Sequence, residues 1–266
     1  MKSKHIIFSI LFSSLLFMGW KTINQEWLTE IRKGYTLKYT PSDKKNKKEY
    51  RKLIENGKSS VEFFFSDTFK KEFEVFVHPN RLSLDKAWQK DWNMPDFKSE
   101  CWMVASGVAT KLDVISPKQW DKEACEHVYS DSQKTQQLIT HELVHVYHGQ
   151  LNISPDFSDV QGMDWFVEGL ATYVSGQCDS KRIAEVQKAI AENKTPQSLD
   201  QFWTSKIKYG LSGSVVMFID KTYGREKLKT LLPLNKKSDL LTTLNTTESE
   251  LLAAWQKHIL EYSTGQ

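Results

Sequence analysis

The run His141-Glu142-Leu143-Val144-His145 sets two imidazoles four positions apart with a carboxylate beside the first. On an α-helix that spacing separates the histidines by about 40° in direction and about 6 Å along the axis, so both rings reach one metal ion from the same face. Glu142 points about 100° away from His141, near enough to act on a water beside the metal but not to bind the metal itself. This is the two-histidine, general-base spacing of a zinc hydrolase. Ile139, Leu143 and Val146 fall on the opposite side and give the helix an apolar back. A catalytic zinc site needs three protein ligands and an open position. Beyond Gly149 and Pro155, Glu168 stands between Val167 and Leu170 on a second apolar helical stretch. A carboxylate in such surroundings needs a partner, and either metal ligation or a buried ion pair supplies one.

The two segments together, His141-Glu142-Leu143-Val144-His145 and Trp165-Phe166-Val167-Glu168-Gly169-Leu170-Ala171-Thr172-Tyr173, resemble the gluzincin metallopeptidases, in particular the peptidase MA-like proteins. The specific likeness covers residues 141–173, and a weaker one runs from about residue 60 to the C-terminus. The resemblance implies His141, His145 and Glu168 as ligands of one Zn2+ per chain, Glu142 as the general base, and peptide bonds as the substrate. It also implies a zincin-like α+β fold. An upper α/β lobe with a small mixed sheet would then face a lower, mostly helical lobe across the metal cleft. A tyrosine from the following helical region often stabilises the oxyanion in related enzymes. Tyr209, just before Gly210-Leu211-Ser212, is the expected one here, with Tyr173 and Tyr223 as rivals. Many gluzincins carry an acidic residue four positions after the ligand glutamate, where this chain has Thr172. The segment Val104–Val108 reads as an edge strand able to pair with an extended peptide. The glutamate-bearing motif by which aminopeptidase relatives hold a free amine is missing, which favours endopeptidase action.

His148 lies on the same stripe as the two ligand histidines but roughly 7.5 Å along the axis from their midpoint, too far for one tetrahedral site. A structural role is expected for it. Leu151 stands where a metzincin needs its third His. Of the three cysteines, Cys101 and Cys125 would close a loop of about 25 residues, a constraint of roughly 3 kcal/mol. Sequence leaves all three pairings open, with that one favoured and Cys178 left over.

The elements that must hold these groups follow from periodicity and punctuation. Helical spacing is expected over 131–149, 163–176, 180–192, 211–222, 225–232 and 248–262, with breaks at Gly149, Gly176 and Gly224. Earlier, Thr40-Pro41-Ser42-Asp43 starts a helix with an apolar stripe through Leu53, Ile54, Val61, Phe64 and Phe65. Residues 73–77 read as a strand, 84–92 as a short helix, and 102–105 with 111–115 as a hairpin. The expected organisation is residues 1–20 as signal peptide or N-terminal anchor and 21–59 as an N-terminal segment, lid or prosegment. Residues 60–150 form the upper lobe with the active-site helix, and 151–266 the lower lobe.

Lys2 and Lys4 ahead of the apolar run Ile6–Trp20 make an export signal, shorter than the roughly 20 residues a spanning helix needs. The expected location is therefore secreted, or anchored at the outer face of the membrane by that segment alone. The 36 basic and 33 acidic residues leave +3, too little to imply a nucleic-acid partner. The 39% hydrophobic content over 266 residues suffices for a packed core. No oligomeric state follows from the sequence. The competing class is a non-catalytic binding or adhesion module that keeps the fold with a structural zinc.

Overall fold

The computed structural model describes residues 25–262, so the expected signal segment lies outside the described residues. Five strands form a mixed sheet: β1 (Leu28–Arg32), β2 (Tyr35–Tyr39), β3 (Phe73–His78), β4 (Ala105–Val108) and β5 (Lys111–Ile115). Their order is β1-β2-β3-β5-β4. β2, β3 and β5 run parallel, and an antiparallel strand closes each edge. Alternation decides the faces: Tyr35, Leu37 and Tyr39 of β2 and Phe73, Val75 and Val77 of β3 are all buried.

The chain reaches its parallel pairings through two crossover helices, α1 (Lys47–Phe65) and α2 (Arg81–Asp91). α1 buries Tyr50, Ile54, Val61 and Phe65, and packs along α4 (Ser132–Leu151). Between β5 and α4 lies the single-turn α3 (Trp120–Glu123). Asp131 caps α4 by accepting from the Lys134 amide at 3.0 Å. The helix then runs through the molecule, with every residue from Leu138 to Gly149 buried.

Beyond α4 the described chain is helical: α5 (Asp164–Val174), α6 (Ser180–Ala191), α7 (Lys208–Tyr223), α8 (Arg225–Leu231), α9 (Lys237–Leu244) and α10 (Glu248–Glu261). α5 and α7 pack side by side, burying Trp165, Phe166 and Leu170 with Leu211, Val215 and Ile219. From α10, the Trp255 indole donates to Ser214 Oγ at 3.1 Å and ties that helix to α7. None of the described helices is long and apolar enough to cross a membrane.

The molecule is thus α+β with a small mixed sheet. Several elements differ in detail from expectation. Residues 28–39, expected as lid or prosegment, supply β1 and β2, and the boundary at 59/60 falls inside α1. The buried alternation of Tyr35, Leu37 and Tyr39 behind the Lys33-Gly34 turn is the signal for that hairpin. The strand expected at 102–105 lies at 105–108, where β4 takes the small-residue segment itself. α7 begins three residues before the expected 211, and α9 was not expected.

Candidate metal centre and active site

α4 presents His141 and His145 one turn apart, and α5 returns to bring Glu168 against both. The His141 and His145 Nε2 atoms are 3.1 Å apart. Glu168 Oε2 lies 3.3 Å from the first and 3.7 Å from the second. Two imidazole nitrogens facing one another beside a carboxylate are a donor set able to share one cation. A tetrahedral zinc ion bound at about 2.0–2.1 Å needs donors roughly 3.4 Å apart, and the three separations bracket that value. The donor set therefore fits Zn2+, with His141 and His145 buried and Glu168 partly open to the cavity.

Burial pushes the Glu168 carboxyl up, but the adjacent His145 and His141 outweigh it and hold the group below the usual carboxylate range. His141 is held from behind: its Nδ1 lies 2.9 Å from Gln177 Oε1 and donates to it. The expected supporting position, Thr172, does not do this. Its hydroxyl is buried without a partner, and its carbonyl accepts from the Gln177 and Cys178 amides at 3.0 and 3.1 Å. The cause is the end of α5. Gly176, at φ 75°, closes a Schellman turn in which its own amide donates to Tyr173 O and the Gln177 amide to Thr172 O. That turn carries Gln177 back over α4, where Gln137 Nε2 donates to the Gly176 carbonyl at 2.8 Å. Sequence reasoning marked Gly176 as a break, but nothing local indicates which side chain the turn redirects.

Glu142 is buried beside the triad, and β4 runs directly against it. A Cβ at Gly107 would collide with the Glu142 carbonyl oxygen, so this strand meets α4 at a distance only glycine permits. Burial pushes the Glu142 carboxyl up to about 7, opposed by His141, assisted by the Glu168 charge and opposed again by a hydrogen bond from the Gly107 amide.

These groups line a cavity of about 960 Å³ walled by β4, α4 and α5, the rim segments 100–104 and 126–127, and the start of α7. Tyr209 is the one of the three tyrosines that lines it, its ring 6.3 Å from that of His141. Tyr173 instead donates to Asp220 Oδ2 at 2.8 Å. Burial and the charges of Glu168 and Glu142 push the Tyr209 hydroxyl up, so it keeps its proton at neutral pH.

His148 has the expected structural role. It is buried against Phe157 and Phe166, its Nε2 donates to the Leu232 carbonyl at 3.1 Å, and burial pushes its pKa down to about 3. Cys101 and Cys125 are disulfide-bonded, with Cα atoms 5.4 Å apart. Cys178 is a free thiol whose pKa burial pushes up to about 12.

This His–His–Glu triad, with a carboxylate beside it and a cavity before it, is a possible metal-binding set consistent with a gluzincin. The model of the Peptidase_M9 family, described as collagenase, matches residues 116–217. That stretch contains His141, Glu142, His145, Glu168 and Tyr209. No curated protein matches the chain. The protein is a zinc metallopeptidase, a hydrolase acting on peptide bonds, and among the described residues one His–His–Glu cluster could hold its zinc.

Proposed function

We propose that this metallopeptidase is an exported endopeptidase of zincin-like architecture. In this reading the sheet-bearing half is the upper lobe, the later helices are the lower lobe, and the cavity between them takes an extended peptide. The observation that carries it is the convergence of His141, His145 and Glu168 next to the buried Glu142.

His141 Nε2, His145 Nε2 and Glu168 Oε2 would hold the zinc. A bound zinc ion supplies a Lewis acid that polarises the scissile carbonyl and acidifies the attacking water. Glu142 is the general base: a carboxyl whose burial brings it to about 7 takes a proton from water and gives it to the leaving amine near neutrality. Tyr209 donates its hydroxyl proton as a hydrogen bond to the developing oxyanion. Gln177 keeps His141 turned toward the metal, and β4, at the edge of the sheet, offers backbone to the substrate. Export is supported by the Cys101–Cys125 bridge, which persists in oxidising compartments, together with the apolar N-terminal run. An endopeptidase acts within a chain, so unfolded proteins such as casein and gelatin are suitable test substrates.

The zinc-loaded protein should cleave casein, and a chelator should stop it. Glu142→Gln should keep one zinc per chain and lose hydrolysis, whereas Glu168→Gln should lose zinc. Full activity of Glu142→Gln would remove the general-base role. A zinc-loaded wild type that cleaves no unfolded protein would return the chain to the binding-module class.

A further inference from the structure

Around Tyr209 the cavity wall gathers positive charge among aromatic rings. The Lys208 ammonium lies 4.2 Å from the centroid of Trp203, 5.1 Å from that of Trp102 and 5.4 Å from that of Tyr209. The Arg182 guanidinium lies 5.8 Å from the Tyr209 centroid and donates one N–H to the Gln177 carbonyl. Lys206 lines the same wall. Among the described residues, neither Arg182 nor Lys208 has a carboxylate within 4.0 Å, although other lysines and arginines, such as Lys237 and Arg225, are paired.

The neighbouring acidic groups are accounted for. Asp179 caps α6 by accepting from the Arg182 amide at 2.9 Å. Glu100 accepts from the Trp102 indole at 2.6 Å. Glu126 stands exposed on the rim. Lys208 and Tyr209 open α7, whose N-cap Ile207 offers no side-chain acceptor, so the positive end of that helix adds to the field. Three rings around an ammonium hold it by its charge and screen it from water, but they leave its hydrogen-bond donors unmatched. A carboxylate of the substrate is the group that would match them.

We propose that Arg182 and Lys208, flanking Tyr209, form an anion-binding subsite that reads a carboxylate of the peptide substrate within about three residues of the cleaved bond. The carboxylate comes from one of two sources. If it is an aspartate or glutamate side chain, the subsite sets sequence preference in an endopeptidase. If it is the α-carboxylate at a chain end, the enzyme releases short C-terminal pieces. The inference rests on the metallopeptidase reading and adds the substrate class to it.

The test uses one peptide sequence in four forms: C-terminal acid or amide, and, on the amide, Glu or Gln within three residues after the cleaved bond. The zinc-loaded wild type should show kcat/KM about tenfold higher for one anionic form over its neutral twin. The form that gains identifies the source. Arg182→Gln and Lys208→Gln should each bring that ratio toward one, and Lys208→Glu should turn the preference toward a Lys-containing peptide. Equal rates for anionic and neutral peptides, or a ratio that survives the variants, would overturn the subsite. If the wild type cleaves none of the peptides, the metallopeptidase reading fails by itself. The subsite is then measured by calorimetry, titrating an N-acetyl dipeptide acid and an acidic N-acetyl dipeptide amide, each against its neutral twin, into the zinc-loaded protein and the same variants. Preference for an anionic form that is lost in the variants supports it, and equal binding overturns it. Preference retained in the variants reports carboxylate on zinc and also overturns it.

Discussion

At the scale of single residues, the ligand spacing on α4 and the carboxylate on α5 bring together three donor atoms at tetrahedral distances, and their supports differ. Gln177 holds His141 through Nδ1, while the Nδ1 of His145 is buried with no protein partner. A neutral amide orients the ring without adding the charge that a carboxylate would. Gln177→Ala should therefore weaken zinc affinity by roughly 10- to 100-fold, read by competition with a chelator dye, while Tm in excess zinc changes little. An unchanged affinity would show that packing alone aligns His141. In the role proposed for Tyr209, Tyr209→Phe should lower kcat by about a hundredfold with zinc content intact. A kcat equal to wild type would leave that tyrosine a packing role only.

At the scale of elements, the site depends on where α5 and α7 sit relative to α1 and α4. Asp220 near the end of α7 accepts from Arg225 at 2.6 and 2.8 Å and from Tyr173 of α5 at 2.8 Å. Arg225 also stacks on Phe64 at the end of α1 and donates to its carbonyl. Burial pushes the Asp220 carboxyl up, but the hydrogen bonds from Arg225 and Tyr173 outweigh it and hold the group below its ordinary range. A carboxylate depressed in the folded state stabilises above its unfolded pKa, near 4, and that contribution is lost as pH falls through the lower folded value. Asp220→Asn should thus cost roughly 2 kcal/mol at pH 7, discounted from a fully buried pair because Arg225 is partly exposed. The gap to wild type in urea melts should close as the pH is taken below 4. A gap that stays constant with pH would assign the loss to packing instead of charge.

At the scale of the whole molecule, the cavity rim is a built structure and not a free loop. Arg81, at the start of α2, donates to Ser99 Oγ and to the carbonyls of Glu100, Cys101, Met103 and Glu123, and the disulfide joins the two rim segments covalently. The triad itself lies on α4 and α5, away from that bridge. The double variant Cys101→Ser, Cys125→Ser should lose about 3 kcal/mol of stability yet keep one zinc per chain. Zinc lost together with the bridge would mean that the rim and the metal centre unfold as one unit.

How much of this was legible in the sequence varied with the range of the interaction. Elements with strong periodicity were readable: α4, α5, α6, α10 and β3 lie within a few residues of where spacing and punctuation put them. The β1–β2 hairpin was missed, although the alternation of Tyr35, Leu37 and Tyr39 is visible in the sequence. The weakly patterned α9 did not stand out, because Ser238, Asp239, Thr242 and Thr243 are poor helix formers, whereas the comparably short α8 follows Gly224 and is rich in Glu, Lys and Leu. The sequence by itself determined the chemistry, because a helix converts a four-residue spacing into a shared face, and two imidazoles with a glutamate make a recognisable zinc set. Only the tertiary structure decided what surrounds that set: Gln177 in place of Thr172 behind His141, Tyr209 alone of three tyrosines in the cavity, and Arg182 and Lys208 beside one aromatic ring. Those partners are distant along the chain or aimed by a turn. Their meeting is set by the packing of α4, α5, α6 and α7, which no local pattern encodes.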